Sequence, residues 1–298
     1  MLHRLRSLGR RAVRRVVRPA LDELEFRAIH DNPYLSGKLY PVSGAATEHI
    51  QLYPDEAPYE GEEFPVPDIE LWHGYAETPE EFLACGRSDV ASMLSILAGA
   101  GTSPDELTRV LDFGCAAARM LRFYPRTERS ELWGVDVDAT HINWCQLNMG
   151  PPFSFATITT SPHLPFEDNY FDLVYAGSVF THISDLTDSW FLELRRVVRR
   201  HGYLYITIHD KRTVELLLTK FKDHPLFFDF VPMVESFCER TGVRSQNYAY
   251  FRMLADPMSQ VFYDEEYLAR KWSQWAEVIS ITPEAHDHQT ALLLRKRP

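Results

Sequence analysis

Hydrophobic positions along the chain change their period several times, and each change marks an element. Leu2, Leu5, Leu8, Val13, Val16 and Val17 recur at helical spacing with arginines on the other faces, so residues 1–30 read as a basic amphipathic helical segment that Pro19 interrupts. Between 31 and 77 the pattern loses any period and becomes rich in Pro, Gly, Tyr and acids, which predicts a loop-rich arm. Thr78, Pro79 and Glu81 form a capping-box signature that opens a helix running through Leu83. Ser88 is expected to open a second helix carrying Val90, Met93, Leu94 and Leu97 on one face and ended by GAGTSPD.

From Arg109 onward short apolar runs alternate with amphipathic stretches. Strands are predicted at 109–113, 131–135, 154–158, 171–176 and 202–208, the alternation that builds a parallel sheet covered on both faces. The helix before the last of these carries Leu192, Leu194, Val197 and Val198, with His201 and Gly202 as its terminating turn. Residues 213–258 turn helical and aromatic, with Phe221, Phe227, Phe228, Phe230 and Phe237, and read as a lid insertion. Two closing strands follow at 275–281 and 289–294. The fold class is therefore α/β, with one domain over 78–298 preceded by the arm and the basic segment.

Composition narrows the partners. The formal charge is -11, yet the first eighteen residues hold seven arginines and no acid, so the body is more acidic than the total suggests and is a poor general nucleic-acid binder. The arginine-rich start suits peripheral contact with an anionic membrane surface, and it also has the composition of an organellar transit peptide. Cys85, Cys115, Cys145 and Cys238 show no close pairing, which points to a reducing cytoplasm and to neither a disulfide framework nor a zinc site. No apolar run reaches the roughly 20 residues of a membrane span.

Two segments carry the chemistry. VLDFGCAAAR, from Val110 to Arg119, is an apolar strand ending in an acid and a glycine turn that should run straight into a helix. Such a turn lets backbone approach a ligand at the carboxyl end of a strand. ELWGVDVDA then places Asp136 at the end of the next strand, where a carboxylate can accept both hydroxyls of a ribose. The pair points to an adenosine-type ligand. A nicotinamide-binding Rossmann domain would share both features, but its GxGxxG spacing is absent.

These residues, with LPFEDNYFDLVYAGSVFTHI and LRRVVRRHGYLYITI after them, resemble the class I S-adenosylmethionine-dependent methyltransferases, closest to those acting on sugars and other small molecules. The resemblance implies a Rossmann-like, doubly wound seven-stranded sheet with its last strand antiparallel, and S-adenosyl-L-methionine as cofactor. It places Asp112 and Gly114 near the methionine portion, Asp136 on the ribose, Val137 and Thr160 at the adenine, and Ser178 at the exit of the fourth strand, with Cys115 and Ala116 also binding the cofactor. Ala116 and Ala118 stand where the family has glycine, and Thr160 where it has an acid.

The implied acceptor is a hydroxyl on a sugar, glycolipid or other small metabolite, with a non-catalytic binding or assembly module as the alternative reading. His182, just after the fourth strand, is the first candidate for a general base, and His209, after the fifth, is the second. Packing roles compete with both. Asp185, Asp188 and Asp210 do not make a metal constellation, and none is expected; His286 and His288 read as solvated residues of a closing turn. Trp72, His73, Gly74 and Tyr75 form an aromatic patch that either covers a ligand or packs the arm onto the domain.

Overall fold

The computed structural model describes residues 64–72, 76–254 and 259–298. The basic segment over 1–30, most of the arm, and His73, Gly74 and Tyr75 lie outside the described residues. Trp72 lies inside them. It is 4% exposed, stacks on Phe82 at 5.3 Å and donates its indole N–H to the Pro67 carbonyl, so this part of the patch packs the arm onto the domain.

Helix α1 spans Pro79–Gly99 without a break, where two helices were expected. The expected capping box forms: Thr78 accepts from the Glu81 amide, and the Glu81 carboxylate accepts from that of Thr78. Gly86 lies inside the continuous helix, where it serves packing. A Cβ there would stand 2.2 Å from the Arg119 carbonyl oxygen, so the missing side chain lets the helix lie against the segment after the first strand.

The main sheet contains β1 (Arg109–Phe113), β2 (Glu131–Asp136), β3 (Phe153–Thr157), β4 (Phe171–Ala176), β5 (Val198–Ile208), β8 (Ala276–His286) and β9 (Gln289–Lys296). Their order is β3-β2-β1-β4-β5-β9-β8. The first five are mutually parallel, and β9 runs antiparallel to both its neighbours. This is the seven-stranded Rossmann-like architecture with the last strand antiparallel. The chain winds outward from β1 in one direction and from β4 in the other, so the crevice beyond their carboxyl ends is the switch point where open α/β sheets bind ligands.

Helices α1 and α2 (Ala139–Asn148) cover one face through Val90, Met93, Leu97, Ile142 and Cys145. On the other face lie α3 (Thr187–Val197) and α6 (Glu265–Trp272), where Phe191 stacks on Trp272 at 4.2 Å. In α3 the buried side is Trp190, Phe191, Leu194 and Val197, while Leu192 is exposed. His201 and Gly202 lie within β5 instead of ending that helix. The β4–β5 register shifts between Phe171 and Leu173, and a Cβ at Gly202 would approach the Asp172 carbonyl oxygen to 2.8 Å.

Between β5 and β8 stand α4 (Lys211–Leu218), α5 (Phe230–Thr241) and two further strands, β6 (Tyr250–Met253) and β7 (Gln260–Tyr263), paired antiparallel. The helical character expected for 213–258 therefore covers only part of that stretch. Alternation in YFRM and QVFY is too short to outweigh the surrounding aromatic residues as a strand signal. The segment has its own core, including Leu217, Val234, Phe251 and Phe262.

Candidate functional site

No α-helix follows β1. After Gly114 the chain makes successive turns and a single 3-10 turn, Leu121–Phe123, in place of the expected helix. Gly114, Ala116 and Ala118 take φ values of 80°, 44° and 56°. Left-handed conformations at every second residue cannot extend a right-handed helix, and at alanine each costs roughly 1–2 kcal/mol. Gly114 also has a steric role, because a Cβ there would lie 2.3 Å from Val179 Cγ2.

The turn is pinned at both sides. The Gly114 and Cys115 amides donate to the Val135 carbonyl, at 2.8 and 3.0 Å. One Asp136 oxygen accepts the Ala116 amide at 2.8 Å, and the other accepts the Asp138 amide at 2.9 Å. Asp112, Gly114, Cys115, Ala116 and Asp136 are thus brought together at the carboxyl ends of β1 and β2. Asp112 is 3% exposed and accepts the Tyr175 hydroxyl at 2.9 Å. Burial pushes its carboxyl up to about 7, while the Tyr175 hydrogen bond and the Arg119 charge oppose the rise. The Cys115 thiol is buried against the Ala116 carbonyl at 3.4 Å, and burial raises it well above the ordinary thiol range.

Other expected residues are more scattered. Val137 is half-buried against the main core, and Thr160 is exposed on the loop beyond β3. Ser178, at φ 59°, closes a polar ring: its amide donates to Thr207 Oγ1 at 2.7 Å, Thr207 donates to Gln289 Oε1, and Gln289 Nε2 returns to Ser178 Oγ at 2.8 Å. Thr207 and Gln289 are buried at 0% and 3% exposure. This ring ties the exit of β4 to β5 and β9.

The two candidate bases are joined through β7. His182 is exposed, and its Nδ1 lies 2.8 Å from the Ser259 carbonyl oxygen. A carbonyl can only accept, so this nitrogen carries the proton and the neutral ring has its lone pair on Nε2. Ser259 Oγ donates back to the His182 carbonyl at 2.6 Å, and the Val261 amide donates to Thr181. Two residues further along β7, the Tyr263 amide donates to the His209 carbonyl. His209 is 4% exposed, packed against Phe230, Phe262 and His288, with no hydrogen-bond partner for Nδ1 among the described residues. Burial, reinforced by the neighbouring histidines, holds it well below the ordinary imidazole range and therefore neutral.

His286 and His288 are buried, at 2% and 9% exposure, contrary to their reading as solvated turn residues. The β8–β9 turn folds inward between two parts of the chain. Ser92 of α1 donates to the Ala285 carbonyl at 2.6 Å, Thr213 of α4 to that of His288 at 2.7 Å, and the Phe227 ring meets His288 edge-on at 4.9 Å. The only sequence signal was the H-D-H triplet beside an apolar strand, which polarity alone assigns to solvent.

Residues 111–206 match the family described as the methyltransferase domain. The matched stretch runs from β1 to β5, so the chain carries a methyltransferase domain on the sheet order described above. No curated protein matches the chain by sequence. Among solved structures it is similar to magnesium protoporphyrin IX methyltransferase from Synechocystis PCC 6803 with bound SAH. The identity is 14% over 75% of this chain and 91% of that one, with a TM-score of 0.47. It is also similar to the Burkholderia thailandensis 1,6-didemethyltoxoflavin-N1-methyltransferase with bound 1,6-didemethyltoxoflavin and S-adenosylhomocysteine, at 15% identity over 75% and 92% with a TM-score of 0.43. A SAM-dependent methyltransferase from Methanosarcina mazei is similar at 15% identity over 63% and 92%, with a TM-score of 0.42. Among the described residues no helix is long and apolar enough to cross a membrane.

Proposed function

We propose that the chain methylates a hydroxyl oxygen of a sugar, glycolipid or other small metabolite. The observation that carries the proposal is the convergence of Asp112, the Gly114 turn and Asp136 at the switch point of the sheet. In this reading Asp136 receives the ribose, Val137 and Thr160 border the adenine, and Asp112, Gly114, Cys115 and Ala116 line the methionine portion. Ser178 holds the opposite wall through its ring with Thr207 and Gln289. The donor supplies a sulfonium-bound methyl group, which needs no further activation.

The protein's part is to align the acceptor, exclude water and receive a proton. His182 suits the last role because the Ser259 carbonyl fixes its tautomer, with the lone pair on Nε2. His209 is the weaker base, since a ring held so far below the ordinary range takes up a proton reluctantly. Its burial among Phe230 and Phe262 suits a wall that keeps water out. The segment from α4 to β7 acts as the lid in this reading. Transfer of isotopic methyl from S-adenosylmethionine to a panel of glycans, glycolipids and small hydroxyl compounds tests it. Methyl transfer confined to amine or carboxylate acceptors would replace the hydroxyl reading.

A further inference from the structure

Four ionisable side chains are buried near the turn after β1, which is itself pinned by the Val135 carbonyl and Asp136. Asp89 of α1, Arg119 and His286 are 9%, 6% and 2% exposed, and Asp112, 3% exposed, lies within electrostatic reach of Arg119. Arg119 follows Ala118 directly, and its Nη1 meets Asp89 Oδ2 at 2.5 Å. His286 Nδ1 lies 3.4 Å from the other Asp89 oxygen, yet among the described residues neither ring nitrogen of His286 makes a hydrogen bond. A buried imidazole with both nitrogens unsatisfied carries the full desolvation penalty of each polar atom. The ring is also aimed at the switch point, since a Cβ on Gly177, just past β4, would stand 3.3 Å from His286 Cε1 and 3.0 Å from Met120 Sδ.

The cluster offers a matched set of groups. Asp89 and Asp112 are acceptors for a cation, and Arg119 and a ring N–H of His286 are donors for an anion. A group with an ammonium and a carboxylate two bonds apart would engage both without changing the net charge of the cluster. An adenosine ligand alone would not, because it carries neither charge. Resting on the donor reading above, we infer that His286, carried by the closing hairpin, is a positioning residue for the amino-acid end of the methyl donor, acting with Asp89 and Arg119.

Calorimetric titration with two ligands tests this: S-adenosylhomocysteine, and 5′-deoxy-5′-methylthioadenosine, which keeps the adenosine thioether but lacks the amino-acid end. His286→Phe should weaken S-adenosylhomocysteine at least tenfold and leave methylthioadenosine within about twofold, while His286→Gln, which keeps a donor and an acceptor, should recover most of the loss. Folding of each variant is monitored by its melting transition, and unfolding of His286→Phe transfers the test to His286→Leu and His286→Gln. An equal loss for both ligands, or an unchanged affinity for S-adenosylhomocysteine, would overturn the inference alone. A wild-type protein that binds neither ligand would remove the donor reading and the inference with it.

Discussion

Ala116, held at φ 44°, directs its amide N–H to the Asp136 carboxylate at 2.8 Å, so one side chain both pins the turn after β1 and ends the strand beside it. Asp136→Ala should therefore do two things. It should weaken S-adenosylhomocysteine by about 2 kcal/mol or more, through loss of the ribose acceptor, and lower the melting temperature by releasing the Ala116 and Asp138 amides. Titration calorimetry and thermal melts on one preparation check both. Unchanged affinity in a folded variant would show that the ligand is held elsewhere.

The two alanines of the turn should answer differently to glycine. Each substitution relieves roughly 1–2 kcal/mol of left-handed strain and adds roughly 0.5–1 kcal/mol of unfolded-chain entropy. Ala118 is fully buried and also loses a packed methyl, worth about 0.8 kcal/mol, whereas Ala116 is half-exposed. Ala116→Gly should raise the stability measured by denaturant unfolding, and Ala118→Gly should leave it nearly unchanged. The reverse order would contradict the strain argument.

How legible this site was in the sequence depended on the kind of signal. The strands at 109–113 and 171–176 were read with their observed boundaries, because a buried parallel strand is a short apolar run with polar limits. Asp112, Gly114 and Asp136 were legible for the same reason, lying at the ends of such runs. The helix expected after the turn was not found, since AAARMLRF has helical composition but Ala116 and Ala118 take left-handed conformations. The burial of His286 and His288, and the β6–β7 pair that links His182 to His209, depend on contacts across the chain that no local pattern encodes.

Asp112 and His286 should give opposite pH dependences. The folded Asp112 carboxyl lies at about 7 against an ordinary 3.8, so the native state keeps a proton that the unfolded chain has released, and its stability falls as pH rises through that window. His286 lies at about 4 against 6.5, so the unfolded chain gains a proton first, and stability falls as pH drops from about 6.5 toward 4. Melting temperatures from pH 4 to 8 should show the alkaline-side loss diminished in Asp112→Asn and the acid-side loss diminished in His286→Gln. Curves parallel to wild type would show that neither group titrates as described.

His182→Ala should slow single-turnover methyl transfer by roughly a hundredfold, with little change in donor affinity, if the ring held by Ser259 takes the acceptor proton. The wild-type rate should fall on the acid side, and that limb should be missing from the residual activity of the variant. A lowered melting temperature with a modest loss of rate and no altered pH profile would return His182 to a structural role.

The central claim is that the switch-point crevice binds the methyl donor, and titration of the purified chain with S-adenosylhomocysteine measures it most directly. The account predicts a dissociation constant of micromolar or tighter, about 8 kcal/mol of binding free energy. A folded protein that gives no binding at millimolar ligand would contradict it and leave a methyltransferase fold serving as a binding or assembly module.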